Sequence, residues 1–269
     1  MPLLHILVLA VVQGLTEFVP VSSSGHLVLV PIVTGWQDQG LAVDVAVHVG
    51  SLAAVMVYLR RDLAAVAIGL ARFSGGQRRD EGARLAAHLA IATLPIIGVA
   101  IVMHQLVGTD LMRRVTVIAW TTLGFGLVLL AADRIGATMH RLDRMTAGHA
   151  LVVGLAQVLS LLPGTSRAGI TITAARLLGY ERREAARFAM LLSIPTILAA
   201  GSVVAYDIYR TSSPGLGLDA LIAALMAFLA ALAAIAGMMR WLRRATFTPF
   251  VVYRILLGGG LLAWIYLGR

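Results

Sequence analysis

Apolar side chains run through most of this chain in long blocks, separated by short polar segments. Residues 86–107, 115–132 and 218–239 form such blocks, and a helix needs roughly 20 apolar residues to cross the hydrocarbon of a bilayer. The pattern predicts spans at about 41–59, 86–106, 115–132, 188–206, 219–239 and 249–266. Two regions break it. Residues 3–19 are helical in pattern but contain Gln13 and Glu17, and they stop at Pro20 before the polar run Ser22-Ser23-Ser24-Gly25-His26. A short apolar run, 27–33, then ends at Gly35. Neither piece suits a single span, so 3–34 is expected to be a re-entrant pair of half-helices, because irregular backbone survives at membrane depth only under cover of protein or water. Residues 151–179 repeat the break at Leu161-Leu162-Pro163-Gly164-Thr165-Ser166-Arg167. The expected fold is all-α: a polytopic membrane protein of six transmembrane helices plus two re-entrant broken-helix segments, forming a single integral membrane domain over residues 1–269.

Composition agrees with this reading, since 59% of residues are hydrophobic and 13% charged, which excludes an ordinary soluble domain. A formal charge of +9 would suit nucleic acid, but the cations are all arginines in short clusters between apolar blocks, so they are read as topology signals and no nucleic-acid partner is expected. Arg60, Arg61, Arg72, Arg78, Arg79 and Arg84 share one loop, and Arg134, Arg141 and Arg144 another. Arg176, Arg182, Arg183 and Arg187 follow the second break, and Arg240, Arg243 and Arg244 precede the last span. With six spans all of these face the cytoplasm, leaving Arg113, Arg114, Arg210 and Arg269 opposite. The two re-entrant segments then enter from opposite sides, as an inverted repeat of approximately 1–132 and 149–267. Setting Pro20 against Pro163 places Ser23 opposite Ser166 and Ser24 opposite Arg167. Arg254, inside the last span, is expected to snorkel to the cytoplasmic surface. Cysteine is absent, which removes disulfides and thiolate chemistry. The amino-terminal stretch lacks a positive flank and a cleavage site, so it is expected to stay in the mature protein.

Broken helices that meet in the bilayer aim their amino-terminal ends at anionic groups. Ser22, Ser23 and Ser24 would cap one such end, and Thr165 and Ser166 the other, leaving backbone N–H groups for phosphate. Arg167 adds a forked cation suited to phosphoryl oxygens. Glu17, costly in hydrocarbon, should face a polar cavity and hold a metal, act as acid or base, or pair with Arg167. His26 lies three residues after Ser23, so Ser23 could be an activated hydroxyl with His26 as base, or His26 itself could attack phosphorus. Asp44 lies near the outer end of its span, where a solvated position is as expected as a functional one. His48, His88 and His104 are assigned to packing or interfaces, and His5, His140 and His149 to segment ends.

The stretch from Gln13 to His26, QGLTEFVPVSSSGH, closely resembles the first signature of the undecaprenyl-diphosphate phosphatase family, also called the bacitracin resistance family. Pro163 to Thr171, PGTSRAGIT, resembles its second, and the similarity extends from Val8 to the last span. The resemblance implies an enzyme of the bacterial inner membrane that hydrolyses undecaprenyl diphosphate to the monophosphate carrier used in cell-wall synthesis. It puts Glu17, Ser23, His26, Ser166, Arg167 and Thr171 on active-site positions. Family members often carry two glutamates four residues apart, whereas this chain has Gln13 at the first. Ala168 stands where serine is common.

The expected catalytic set is therefore Glu17, Ser23, His26 and Arg167, with Gln13, Ser22, Ser24, Thr165, Ser166 and Thr171 binding substrate and Glu17 holding a divalent cation, Mg or Ca. The expected partners are the membrane and a polyprenyl diphosphate lipid, and the one protein partner considered is a second copy in a homodimer. The site should open to the external side. Two other readings stand beside this one: a secondary transporter or lipid flippase, which suits broken helices in an inverted repeat, and an unrelated lipid phosphatase with a histidine nucleophile, which lacks a histidine after Arg167 and any lysine.

Overall fold

The computed structural model describes residues 2–36, 40–76, 80–106, 114–210 and 217–267, apart from the side chains of 41, 42, 104–106 and 204–210. Arg78, Arg79, Arg113 and Arg269 of the topology argument lie outside the described residues, as do the side chains of His104 and Arg210.

The described chain is all-helical: α1 Leu3–Thr16, α2 Ser23–Thr34, α3 Gly40–Tyr58, α4 Arg60–Ser74, α5 Glu81–Leu106, α6 Val115–Ile135, α7 Ala147–Val158, α8 Arg167–Leu177, α9 Arg182–Arg210, α10 Leu218–Trp241 and α11 Thr248–Leu267. Within α5, α6, α9, α10 and α11 lie stretches long and apolar enough to cross a membrane, and α3 with α4 adds a sixth if that pair, bent by 78°, is one broken span. The protein is thus a polytopic membrane protein.

The segment after residue 59 departs from expectation. Its arginines suggested a loop, yet α4 is a helix packed on α5, with Gly69 set against Gly82 and Ala83 where α5 begins. Asp80 caps α5 by accepting from the Gly82 and Ala83 amides at 2.8 and 3.3 Å. Arg187 of α9 is held by Asp62 and Glu184, which fastens α4 to the body of the fold.

Packing explains how the broken segments are held. Along α10 the buried residues Ala220, Ala223, Ala227 and Ala231 make a smooth stripe at helical spacing, and α1 and α3 lie on that helix. A Cβ on Gly14 would come within 2.5 Å of the Ala227 carbonyl, and one on Gly50 within 2.0 Å of the Ala224 carbonyl. Without a hydrophobic drive between helices in lipid, such close approach of small residues is what binds them. The arrangement is reciprocal. Helix α7 rests on α5, where a Cβ on Gly154 would meet the Ala92 carbonyl at 2.6 Å. The first helix of each interrupted pair therefore leans on a long helix of the other half of the chain.

Arg176 is a further correction. Counted among the cytoplasmic arginines that follow the second break, it is fully buried at the end of α8, bound to Asp133 at 3.2 Å and to the carbonyls of Ala137, Gly136 and Tyr180. Asp133 also takes Arg182 at 2.7 Å and the Phe247 amide at 3.1 Å, so the buried charges are paired and saturated with hydrogen bonds, the condition under which burial is tolerated.

Candidate functional site

The first break, after α1 stops at Thr16, contains Pro20, the second, after α7 stops at Val158, contains Pro163-Gly164, and in each a serine caps the helix that follows. Ser22 and Ser166 precede α2 and α8 with φ of +77° and +70°, the only positive φ values among the described non-glycine residues. Each such conformation costs about 1–3 kcal/mol and persists only where its surroundings impose it. Here the compensation is the same in both places: the serine hydroxyl accepts from the amide three residues on, Gly25 at 3.4 Å and Gly169 at 3.0 Å. Matching the two caps pairs Ser22 with Ser166, Ser23 with Arg167 and Gln13 with Gln157. That register differs by one residue from the proline alignment, because the shared feature is the backbone conformation and not the ring.

Behind both breaks lies Arg254 of α11. Expected to snorkel, it is instead fully buried. Its guanidinium donates to the carbonyls of Gly164 and Thr165 at 3.0 Å, Pro20 at 3.2 Å, Thr122 at 3.0 Å and Thr121 at 3.3 Å. Interrupting a helix frees carbonyls that lipid cannot satisfy, and one arginine serves both interruptions. Thr121 adds a hydroxyl bond to the Pro163 carbonyl at 2.5 Å.

In front of the breaks lies a cavity of about 590 Å³. Glu17, Ser23, Ser24, Ser166 and Arg167 line it, so the starts of α2 and α8 face one space, each with helix-start amides that have no intrahelical acceptor. Glu17 is the hub. Its Oε1 is ion-paired with Arg167, while its Oε2 accepts from the Ser23 hydroxyl at 2.6 Å and the Gln13 amide at 2.8 Å. Arg167 also donates to the Ser193 carbonyl at 3.3 Å. Among the remaining lining residues, Val45, Val49, Leu52, Ile96, Ile197 and Leu198 give the cavity an apolar wall.

Other expected site residues lie elsewhere. The Nδ1 atom of His26 meets the Ser22 carbonyl and its Nε2 the Tyr253 hydroxyl, both at 2.6 Å, and the ring does not line the cavity. Thr171 is buried and donates back to the Arg167 carbonyl at 2.8 Å. Thr165 is fully buried, and its hydroxyl has no hydrogen-bond partner. Ser22 acts as a cap, and Gln13 reaches the site through Glu17.

Two residues set aside in the sequence do line the cavity, Asp44 and His48. They lie one helical turn apart on α3, and that i, i+4 spacing of an acid and a histidine was the signal available. His48 Nδ1 meets the Asp44 carbonyl at 2.7 Å, and its Nε2 stands 4.0 Å from Glu17 Oε2. Arg167 is the one arginine among the described residues that line the cavity. The arrangement can grip phosphoryl oxygens by the helix starts and Arg167, and can draw a proton from Ser23 toward a carboxylate.

A family model described as bacitracin resistance protein BacA matches residues 6–260. Among named relatives, an undecaprenyl-diphosphatase of Roseobacter denitrificans is 53% identical, covering 99% of this chain and 100% of that protein. An undecaprenyl-diphosphatase 1 of Rhodospirillum rubrum is 51% identical over 100% of this chain and 97% of its own length. An undecaprenyl-diphosphatase of Chromohalobacter salexigens is 48% identical over 97% and 98%.

Proposed function

The chain belongs to the bacitracin resistance protein family, and from that premise we propose that it hydrolyses undecaprenyl diphosphate to undecaprenyl phosphate and inorganic phosphate in the bacterial inner membrane. The observation that carries this reading is the joining of Ser23, Glu17 and Arg167 in one cavity faced by two helix starts. The diphosphate lies against Arg167 and the α2 and α8 amides, and the prenyl chain lies along the apolar wall.

Ser23 is the nucleophile we infer. Its hydroxyl already donates to Glu17, whereas both ring nitrogens of His26 are engaged elsewhere. Attack by Ser23 Oγ on the terminal phosphorus forms the Oγ–P bond and breaks the bond to the bridging oxygen, which leaves with the electron pair as prenyl phosphate, while the hydroxyl proton passes to Glu17. Water then attacks the phosphoserine, forming a new P–O bond as the Oγ–P bond breaks; Glu17 returns its proton to Ser23 Oγ, and inorganic phosphate leaves with the protons of the water.

Glu17 would also hold a divalent cation. The support for this is Gln13 Oε1, a buried acceptor without a hydrogen-bond partner on the side chain that donates to Glu17. Bound there, a cation would supply positive charge to the phosphoryl oxygens. We infer that the cavity opens outward, and a cysteine at Trp36 should then react with an impermeant reagent in intact cells; protection would reverse the orientation.

The test of the function is phosphate release from undecaprenyl diphosphate by the purified protein in detergent, with and without chelator. Release, together with an acid-stable phosphoserine trapped on Ser23, is expected. Movement of the lipid with no phosphate released would replace hydrolysis by transport.

A further inference from the structure

We propose that the arginine-lined pocket between the start of α9 and the turn joining α10 to α11 binds the phosphate headgroup of an anionic phospholipid. The pocket has a volume of about 430 Å³ and shares no lining residue with the cavity that holds Glu17. Arg182, Arg183, Arg243 and Arg244 line it, against one acid, Glu181. Guanidinium groups gathered around one space repel each other, and an anion between them turns that cost into attraction.

Asp133 fixes the walls. Its Oδ1 accepts from Arg182 at 2.7 Å and its Oδ2 from the Phe247 amide at 3.1 Å, so one buried carboxylate fastens both arginine-bearing segments. The same carboxylate is bound to Arg176, which leaves it no charge to spare for the pocket. Arg183, Arg243 and Arg244 are exposed and make no ion pair with a described residue. Arg182 and Arg183 also occupy the first turn of α9, the positive end of the helix dipole, where an anion is favoured and a cation is not. Forked guanidinium donors match phosphate oxygens in geometry as well as in charge.

The neighbours of the pocket point to a lipid as the source of that phosphate. Trp241, beside the lining Leu242, is 48% exposed while its Nε1 donates to the Thr246 carbonyl at 2.9 Å, which suits a tryptophan at headgroup depth. Met139, beside the lining Thr138, is 75% exposed. These side chains offer acyl chains an apolar surface next to the arginines, and a free phosphate ion has no use for one. Arginines that served only to orient the helices would need no shared pocket.

The experiment titrates the purified full-length protein in detergent with phosphatidylglycerol, with zwitterionic phosphatidylcholine and with inorganic phosphate. Apparent affinity is read from the rise of the thermal midpoint with ligand concentration. An arginine beside an anionic headgroup contributes about 5-fold, so wild type should favour phosphatidylglycerol over phosphatidylcholine by about 10-fold or more. The double variant Arg243→Gln/Arg244→Gln should lose most of that preference. Arg60→Gln/Arg61→Gln, which removes the same charge from exposed positions on α4, should keep it. Arg243 and Arg244 hold no ion pair, so their variant should fold, and an unchanged midpoint without lipid checks this. No preference for phosphatidylglycerol, or equal losses in the two double variants, overturns the pocket as a binding site. A rise with inorganic phosphate that matches the one with phosphatidylglycerol, and that vanishes in Arg243→Gln/Arg244→Gln, overturns the lipid as its occupant.

Discussion

The two interrupted helix pairs share a backbone device and divide the chemistry. In each, a serine with positive φ caps the second half-helix through the glycine amide three residues on. The position after the cap is Ser23 in one and Arg167 in the other, so the first break presents a hydroxyl beside a carboxylate and the second presents a cation. Gln13 donates to the carboxylate of Glu17, whereas its counterpart Gln157 donates to the Ala92 carbonyl at 3.2 Å and accepts at 3.3 Å from Thr196, an uncharged residue of the cavity wall. Repeating a fold element therefore need not repeat its function, since one residue after the cap decides whether that end reacts or grips.

The largest expected effect comes from the reacting half. Ser23→Ala should lower kcat by about 10⁴-fold or more while leaving KM within a few-fold, as loss of a nucleophile does. Arg167→Ala should lower kcat/KM by about 10³-fold with much of the loss in KM, because the diphosphate loses its forked cation. If both variants changed the same kinetic parameter in the same way, the division between the halves would be wrong. Arg254→Ala, which strips donors from both breaks together, should destabilise the protein by about 3–5 kcal/mol in detergent unfolding, and Arg254→Lys, with fewer donors, by less.

Smaller effects sharpen the contrast. Gln13→Ala and Gln157→Ala should each cost about 1 kcal/mol of stability, yet only Gln13→Ala should reduce turnover, by about 10-fold. Equal losses of turnover would place both amides in one role. Smallest of all, Ser22→Ala and Ser166→Ala should each cost about 1 kcal/mol, and the corresponding glycine variants only a few tenths, since glycine tolerates positive φ. Thermal unfolding of the four variants measures this, and a cap that tolerated alanine freely would break the equivalence of the two ends.

The breaks themselves were legible because proline, glycine and serine stand in otherwise apolar runs, and Glu17 and Arg167 because charge inside such runs is expensive. Helix α4 was not, as its arginines read as a loop while its packing on α5 is a tertiary matter. Arg254 and Arg176 escaped for one reason: both are satisfied largely by backbone carbonyls, which leave no mark on a side-chain pattern. His26 had local company in the sequence but points to Tyr253, 227 residues away. His48 was missed in the opposite direction, since only the folding of α1 beside α3 brings Glu17 near it.

The dependence of both breaks on Arg254 also bears on how the protein is made. Chains leave the ribosome amino terminus first, and the Pro20 carbonyl waits 234 residues for its donor. Before α11 enters the bilayer, a nascent chain holds its reactive and gripping ends without the bond that joins them. A product ending before Thr248 would insert most of its helices and still never mature into a working catalyst, so competence arrives only once α11 has been made.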